Sequence, residues 1–261
     1  MKIFVTRSIP EQGLKLLEKH HQVEVNPYDR VLTKEEIIKG VKGKDGLLCL
    51  LTDLIDAEVI NSEPKLKMIS SYAVGYNNID VNAATRRGIP VSNTPGVLTD
   101  ATSDMTWALL FSVARRIVEA DKFTRAGKFK GWSPMLMHGQ DVTDKTLGVV
   151  GAGRIGTAFA LKSKGFNMNV LYVDEKKNET LEKEVNAKKV TFDELLKKSD
   201  FISLHVPLIL STHHLIGEKE LKMMKKNAVL INTSRGPVVD EKALVFALKE
   251  KQIFGAGLDV Y

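Results

Sequence analysis

Short runs of β-branched and aliphatic residues alternate with stretches of helical period along the whole chain. Residues 3–5 (Ile3, Phe4, Val5) predict a strand. Residues 10–20 place Leu14, Leu16 and Leu17 at helical spacing, with Pro10 suited to a first turn. A short strand follows at 23–25. Thr33-Lys34-Glu35-Glu36 is a capping box that opens the next helix. Residues 46–51 predict a strand, 57–61 a short helix, 67–71 a strand, 81–87 a helix and 89–91 a closing strand. Five such β units imply a parallel sheet covered by helices on both faces.

The pattern then changes. Residues 100–120 hold one helical period without Gly or Pro, with Ala101, Met105, Ala108, Leu109, Phe111, Val113 and Ile117 as apolar positions. They predict one long helix that links two domains. Residues 129–144, with Gly131, Pro134 and Gly139, read as an irregular surface connection. A second βα series begins at Thr146, with strands at 147–150, 169–173, 201–205, 228–232 and 256–261. The expected domains are 1–98 and 99–261.

Composition narrows the function classes. The 261 residues leave room for two domains. With 43% apolar and 27% charged residues the chain is too apolar for disorder. No apolar run approaches the roughly 20 residues that cross a bilayer, and the apolar start is too short for a signal peptide. No membrane partner is therefore expected. Cys49 is the only cysteine, which excludes an internal disulfide and fits a reducing cytoplasm. The six histidines show no structural-zinc spacing, so no metal is expected. The net charge of +6 is spread, with lysines interleaved among acids, as in Glu175-Lys176-Lys177-Asn178-Glu179. That pattern reads as solvated helix faces, not as a nucleic-acid surface.

Gly151-Ala152-Gly153-Arg154-Ile155-Gly156 fits G-x-G-x-x-G between an expected strand and helix. Gly151 would permit the turn, Gly153 would let backbone approach a pyrophosphate, and Gly156 would let helix and sheet pack closely. The helix N-terminus offers N–H groups and a positive dipole end to phosphate. Asp174, 18 residues beyond Gly156, is placed to bind an adenosine ribose and to repel a 2′-phosphate, favouring NAD over NADP. An ordinary βα turn, or the adenosine site of a methyltransferase, would share parts of this pattern. Asn232-Thr233-Ser234-Arg235-Gly236 follows a strand, where a guanidinium could grip a carboxylate or cap a helix. Asp259 ends the last strand and could accept from a carboxamide or simply lie exposed. Around Val74 and Gly75, backbone N–H groups could form an anion nest; a plain glycine turn with Asp80 as helix cap is the other reading.

These segments together resemble the D-isomer-specific 2-hydroxyacid dehydrogenase family, and within it the glyoxylate and hydroxypyruvate reductases. The likeness runs over residues 1–261. It is carried by Tyr72-Ala73-Val74-Gly75-Tyr76-Asn77-Asn78-Ile79-Asp80, residues 93–102, the glycine loop, His205-Val206-Pro207-Leu208, residues 231–240 and residues 257–261. The resemblance implies an α/β fold of two doubly wound parallel-sheet domains, a flavodoxin-like substrate domain and a Rossmann NAD-binding domain. It implies that Val74 and Gly75 hold the substrate carboxylate and that Leu51 lines the substrate pocket. Thr102, Arg154, Ile155, Val206 and Pro207 would touch the cofactor, and Thr233 and Ser234 would lie beside the nicotinamide. Asp259 would hold its carboxamide, and Arg235 would be the catalytic arginine. The implied reaction is NADH-dependent reduction of a small 2-keto acid to the D-2-hydroxy acid, by a cytoplasmic homodimer built around the long helix with Trp107.

In the family a histidine protonates the developing alkoxide and a glutamate holds that histidine. Both follow the segment matching 257–261. Glu241, Glu250, His205, His213 and His214 do not match them. The expectation is a C-terminally shortened chain with an exposed sheet edge that binds NAD and is impaired alone, since such an acid contributes about 10²–10⁴-fold. The alternative is a non-catalytic NAD-binding interaction protein of the same fold.

Overall fold

The computed structural model describes all 261 residues, which divide into two compact units, Met1–Val97 and Leu98–Tyr261. In the first, the order is β1 (Lys2–Val5), α1 (Glu11–Glu18), β2 (Gln22–Val25), α2 (Lys34–Val41), β3 (Gly46–Cys49), α3 (Ala57–Asn61), β4 (Met68–Ser71), α4 (Val81–Arg86) and β5 (Val91–Ser92). All strands are parallel in the order β2-β1-β3-β4-β5, the flavodoxin-like winding. Phe4, Ile37, Val41, Leu47, Val59, Ile60 and Ile69 pack its core. The Thr33 and Glu36 box closes on the start of α2, and the Asp80 side chain accepts from Ala83 N–H to cap α4.

The second unit runs α5 (Thr99–Ala114), α6 (Ile117–Arg125), β6 (Thr146–Val150), α7 (Arg154–Lys162), β7 (Asn169–Val173), α8 (Glu179–Val185), β8 (Lys188–Lys189), α9 (Phe192–Lys198), β9 (Phe201–Leu204), α10 (Glu218–Met223), β10 (Val229–Asn232), α11 (Glu241–Lys249) and β11 (Gly255–Leu258). Its six parallel strands lie in the order β11-β10-β9-β6-β7-β8, the Rossmann winding. Alternation along each strand feeds two cores. Val229 and Ile231 pack with Trp107, Leu110 and Phe159 on one face, while Leu230 packs with Leu196, Leu221 and Leu244 on the other.

The expected elements need correction at several points. The single helix over 100–120 is two, broken at Arg116, whose φ of 54° is left-handed. The Ala114 carbonyl is taken by the N–H of Gln140 at 2.7 Å. A Cβ on Gly139 would stand 2.2 Å from that carbonyl, so a glycine alone lets the returning chain reach it. Trp107 is buried within the unit, packs its ring against Phe111, Phe159 and Phe166, and donates its Nε1 to the Phe159 carbonyl. The strands expected over 46–51 and 256–261 end early, at Cys49 and Leu258, and the one over 89–91 begins at Val91. Proline has no N–H for a ladder, and Pro90 only accepts, from Ile69 N–H. The two-lysine strand β8 has no apolar residue to announce it; its charges suit a sheet edge.

Candidate functional site

In the second unit, the loop between β6 and α7 is built by its glycines. Gly151 has φ +93°, and a Cβ there would meet the His205 carbonyl at 2.7 Å. A Cβ on Gly156 would stand 2.0 Å from the Gly151 carbonyl, so α7 lies directly on the loop. A Cβ on Gly153 would meet nothing within 4 Å. Gly153 caps α7 without a side chain, so the first N–H groups of the helix, at Arg154, Ile155 and Gly156, carry no side-chain cap. Uncapped N–H groups with the positive helix end behind them suit a diphosphate.

Asp174 follows β7. One carboxylate oxygen accepts from Ala152 N–H at 2.7 Å and the other from Lys176 N–H at 3.1 Å. Each oxygen keeps acceptor capacity for a diol. Two residues that sequence reasoning missed complete this arrangement. Asn178 Nδ2 donates to the Ala152 carbonyl at 2.9 Å and to Thr157 Oγ1 at 2.8 Å, while Thr157 Oγ1 donates to the same carbonyl at 3.1 Å. The Ala152 peptide is therefore held at both ends. The Asn178 signal was present, since an Asn before Glu179 is a helix cap, and its Oδ1 does accept from Leu181 N–H.

The loop after β10 is equally fixed. Ser234 N–H and Oγ both donate to Asn232 Oδ1, and Asn232 Nδ2 donates to the Arg235 carbonyl at 2.8 Å. Arg235 is half-buried, and burial lowers its pKa from the usual arginine range; Nη1 donates to the Ser234 carbonyl. Helix capping falls to Asp240, which accepts from Lys242 and Ala243 N–H at the start of α11. Thr233 is buried, and its Oγ1 lies 2.9 Å from Thr106 Oγ1, which donates to the Thr102 carbonyl. Thr102 is thus tied to the β10 loop through Thr106, a link only the fold reveals. Asp259 is exposed beyond β11, with its N–H on the Asn232 carbonyl. Asp174, Thr233, Arg235 and Asp259 all follow the carboxyl ends of their strands. Val206 is half-buried and Pro207 exposed just past β9. His205 packs on Phe159 and hydrogen-bonds Ser203 Oγ at 2.9 Å; burial pushes it down to about 4, so it is neutral at pH 7. His213 and His214 stack in an exposed turn.

In the first unit, Val74 and Gly75 follow β4. The Val74 carbonyl accepts from Asn93 Nδ2 at 2.7 Å, and neither residue's N–H has a partner in the unit. Neither residue has positive φ, and the loop offers a pair of open N–H donors. Leu51 is exposed on the turn after β3. Asp53 anchors that turn through Leu50 N–H, and Asn78 Nδ2 donates to the Leu50 and Asp53 carbonyls.

Comparison with known proteins gives one consistent result. Residues 107–261 match the NAD binding domain of the D-isomer specific 2-hydroxyacid dehydrogenases. The chain is 53% identical over 264 residues to the glyoxylate reductase of Thermococcus litoralis, covering all of this chain and 80% of that protein. It is similar to the crystal structure of TT0316 protein from Thermus thermophilus, with a TM-score of 0.93, 44% identity and coverage of 100% of this chain and 82% of that one. It is also similar to D-lactate dehydrogenase from Aquifex aeolicus in complex with NAD and lactic acid, with a TM-score of 0.88, 30% identity and coverage of 100% and 77%. No helix is long and apolar enough to cross a membrane.

Proposed function

Because the chain belongs to the D-isomer-specific 2-hydroxyacid dehydrogenase family and is an enzyme of that family, we propose that it uses NADH, in preference to NADPH, to reduce a small 2-keto acid of the glyoxylate or hydroxypyruvate type to the D-2-hydroxy acid. The observation that carries the cofactor reading is the glycine loop: open space at Gly153 beside an Asp174 carboxylate locked to the Ala152 N–H. When bound, the cofactor supplies hydride. Arg154, Ile155 and Gly156 would hold its diphosphate on the α7 N-terminus, and Asp174 would accept from the ribose hydroxyls and repel a 2′-phosphate. Thr102, Val206, Pro207, Thr233 and Ser234 would line its path, with Asp259 on the carboxamide.

Val74 and Gly75 N–H groups would hold the substrate carboxylate beside Leu51. Arg235 would orient the acid and offset the charge that grows on the reacting oxygen. None of His205, His213 and His214 is assigned the proton for that oxygen: His205 is held neutral, and His213 and His214 lie on an exposed turn. Assayed as these 261 residues, the protein should bind NADH yet turn over about 10²–10⁴-fold more slowly than a polypeptide carrying the family's Glu and His. Titration with NADH, followed by steady-state assay with glyoxylate and hydroxypyruvate, tests this. Arg235→Gln should cost about 10²-fold in reduction with NADH binding unchanged; equal loss of both would remove the catalytic role. NADH binding without turnover, even with the Glu and His supplied, would favour the non-catalytic interaction protein.

Exposed Phe129, Trp132 (85% exposed) and Met135 support a homodimer. Light scattering after gel filtration that gives a monomer at tens of micromolar would refute it. We place the enzyme in the reducing cytoplasm, where Cys49 stays a thiol.

A further inference from the structure

Leu51 and the Val74–Gly75 loop leave the sheet from neighbouring strands, β3 and β4, and Tyr72 N–H donates to the Cys49 carbonyl as the two chains depart. A side chain then joins them. Asn78 Nδ2 carries two hydrogens, and each has its own carbonyl, Leu50 at 3.0 Å and Asp53 at 2.7 Å. These carbonyls bracket Leu51 and Thr52, so the turn that presents Leu51 is gripped on both flanks from the other loop. The same turn is closed from within, since Asp53 Oδ2 accepts from Leu50 N–H at 2.8 Å and from Thr6 Oγ1. Asn78 is itself pinned: its carbonyl accepts from Ile55 N–H and the Ile55 carbonyl accepts from Asp80 N–H, both at 2.9 Å. Asn93 Nδ2 and Thr94 N–H hold the start of the loop at the Val74 and Ala73 carbonyls. The amide oxygen of Asn78 is buried and has no partner. A buried acceptor left unpaired costs stability, so what this position supplies is the pair of N–H bonds.

We propose that Asn78 is a positioning residue for the acid site: it fixes the turn that carries Leu51 against the loop whose Val74 and Gly75 N–H groups receive the carboxylate. The proposal rests on the reading of those N–H groups and of Leu51 as the surroundings of the acid. Asn78 acts without touching the acid. The Val74 and Gly75 N–H groups have no partner in the unit and Leu51 is 51% exposed, so none of the three is held by its own contacts. The backbone around them is held instead, and the Asn78 amide is common to both segments. The two walls are thus ordered before an acid arrives, which spares binding that entropy. Without the amide, the Leu50 and Asp53 carbonyls turn to water and Leu51 loses its fixed place beside the carboxylate holder. All of these bonds lie within the first unit, so NADH affinity, assigned to the second, is a separate readout.

The test is calorimetric titration of glycolate into the NADH-saturated protein, where reduced acid and reduced cofactor cannot react. Asn78→Ala should weaken glycolate about tenfold and leave NADH affinity unchanged. Asn78→Ser keeps one short donor and is the milder variant; it should shift glycolate the same way with a smaller loss of Tm. Leu51→Ala should weaken glycolate about threefold in the unmodified chain and hardly further in Asn78→Ala, because Leu51 is in place only while the amide holds it. Ile55→Val, which removes a buried methyl beside the same bonds, is the control. Its Tm should fall while glycolate binds as before, since a destabilised chain that stays folded keeps its site. Glycolate affinity within about twofold of the unmodified chain in both Asn78 variants overturns this proposal alone. Additive losses in the double variant mark independent structural effects and overturn it too, as does Ile55→Val reproducing the loss. Absence of glycolate binding to the unmodified chain removes the carboxylate reading, and Leu51→Ala without effect removes the Leu51 reading; either takes this proposal with it.

Discussion

The glycine loop allows stability and cofactor binding to be separated by two methyl groups placed three residues apart. At Gly153 an added Cβ meets nothing within 4 Å. Its backbone is extended, with φ −72° and ψ −163°, so alanine fits without strain. The only folding cost of Gly153→Ala is a poorer cap, about 0.5–1 kcal/mol. At about 2–4 °C per kcal/mol for a chain of this size, Tm should fall by about 1–4 °C. At Gly156 the added Cβ stands 2.0 Å from the Gly151 carbonyl, far inside an ordinary carbon–oxygen contact of about 3.3–3.6 Å. The helix must retreat from the loop, an overpacking cost of about 1–3 kcal/mol or more, and Tm should fall by about 2–12 °C. NADH affinity should order the two differently. The Gly153 methyl enters the space assigned to the diphosphate, and losing even one charge-assisted hydrogen bond there weakens binding by about tenfold or more. Differential scanning fluorimetry and NADH fluorescence titration on both variants read the two quantities. Gly153→Ala that keeps its NADH affinity within about twofold would show that the open space does not hold the cofactor.

Asp174→Ala should weaken NADH at least about tenfold and leave NADPH unchanged or tighter, measured by parallel titrations; the opposite order would reassign the acid. Asn178→Ala removes both the Ala152 clamp and the α8 cap, and should lower Tm by about 2–4 °C and NADH affinity several-fold. Asn178→Asp restores the cap without the Nδ2 donor, so recovery of Tm without recovery of affinity identifies the clamp. His205 has a folded pKa of about 4 against about 6.5 unfolded. Between those values the unfolded chain binds a proton that the folded one does not. Stability is therefore full above pH 6.5 and falls by up to about 3 kcal/mol on reaching pH 4. Urea unfolding at pH 7 and pH 4.5 should show that loss shrinking in His205→Gln, and parallel losses would refute the assignment.

Local chemistry carried much of this architecture into the sequence. Alternating βα periods, the Thr33–Glu36 box and the glycine loop act over a few residues, and each is found where the pattern put it. What escaped depends on chain returning from afar. Nothing between 100 and 120 tells that Gln140 will take the Ala114 carbonyl and end a helix whose period continues. Trp107 reads equally well as a surface or a core residue until Phe159 and Phe166 close on it. Candidate site residues were legible where glycine or strand-end position marks them. Thr106 and Asn178 act by bridging elements, which leaves no periodic trace.

Cys49 gives the first unit a built-in clock. It is the only thiol of the chain, it lies fully buried at the end of β3, and burial pushes its pKa up to about 12. A thiol reagent meets no thiolate while the unit stays closed. Each labelling event therefore marks an excursion of that unit alone, and the labelling rate counts its openings while the second unit is silent. If an acid binds at Val74 and Gly75 as proposed, it should slow that clock in proportion to its occupancy, and substrate affinity would then be read from one half of the protein without any turnover.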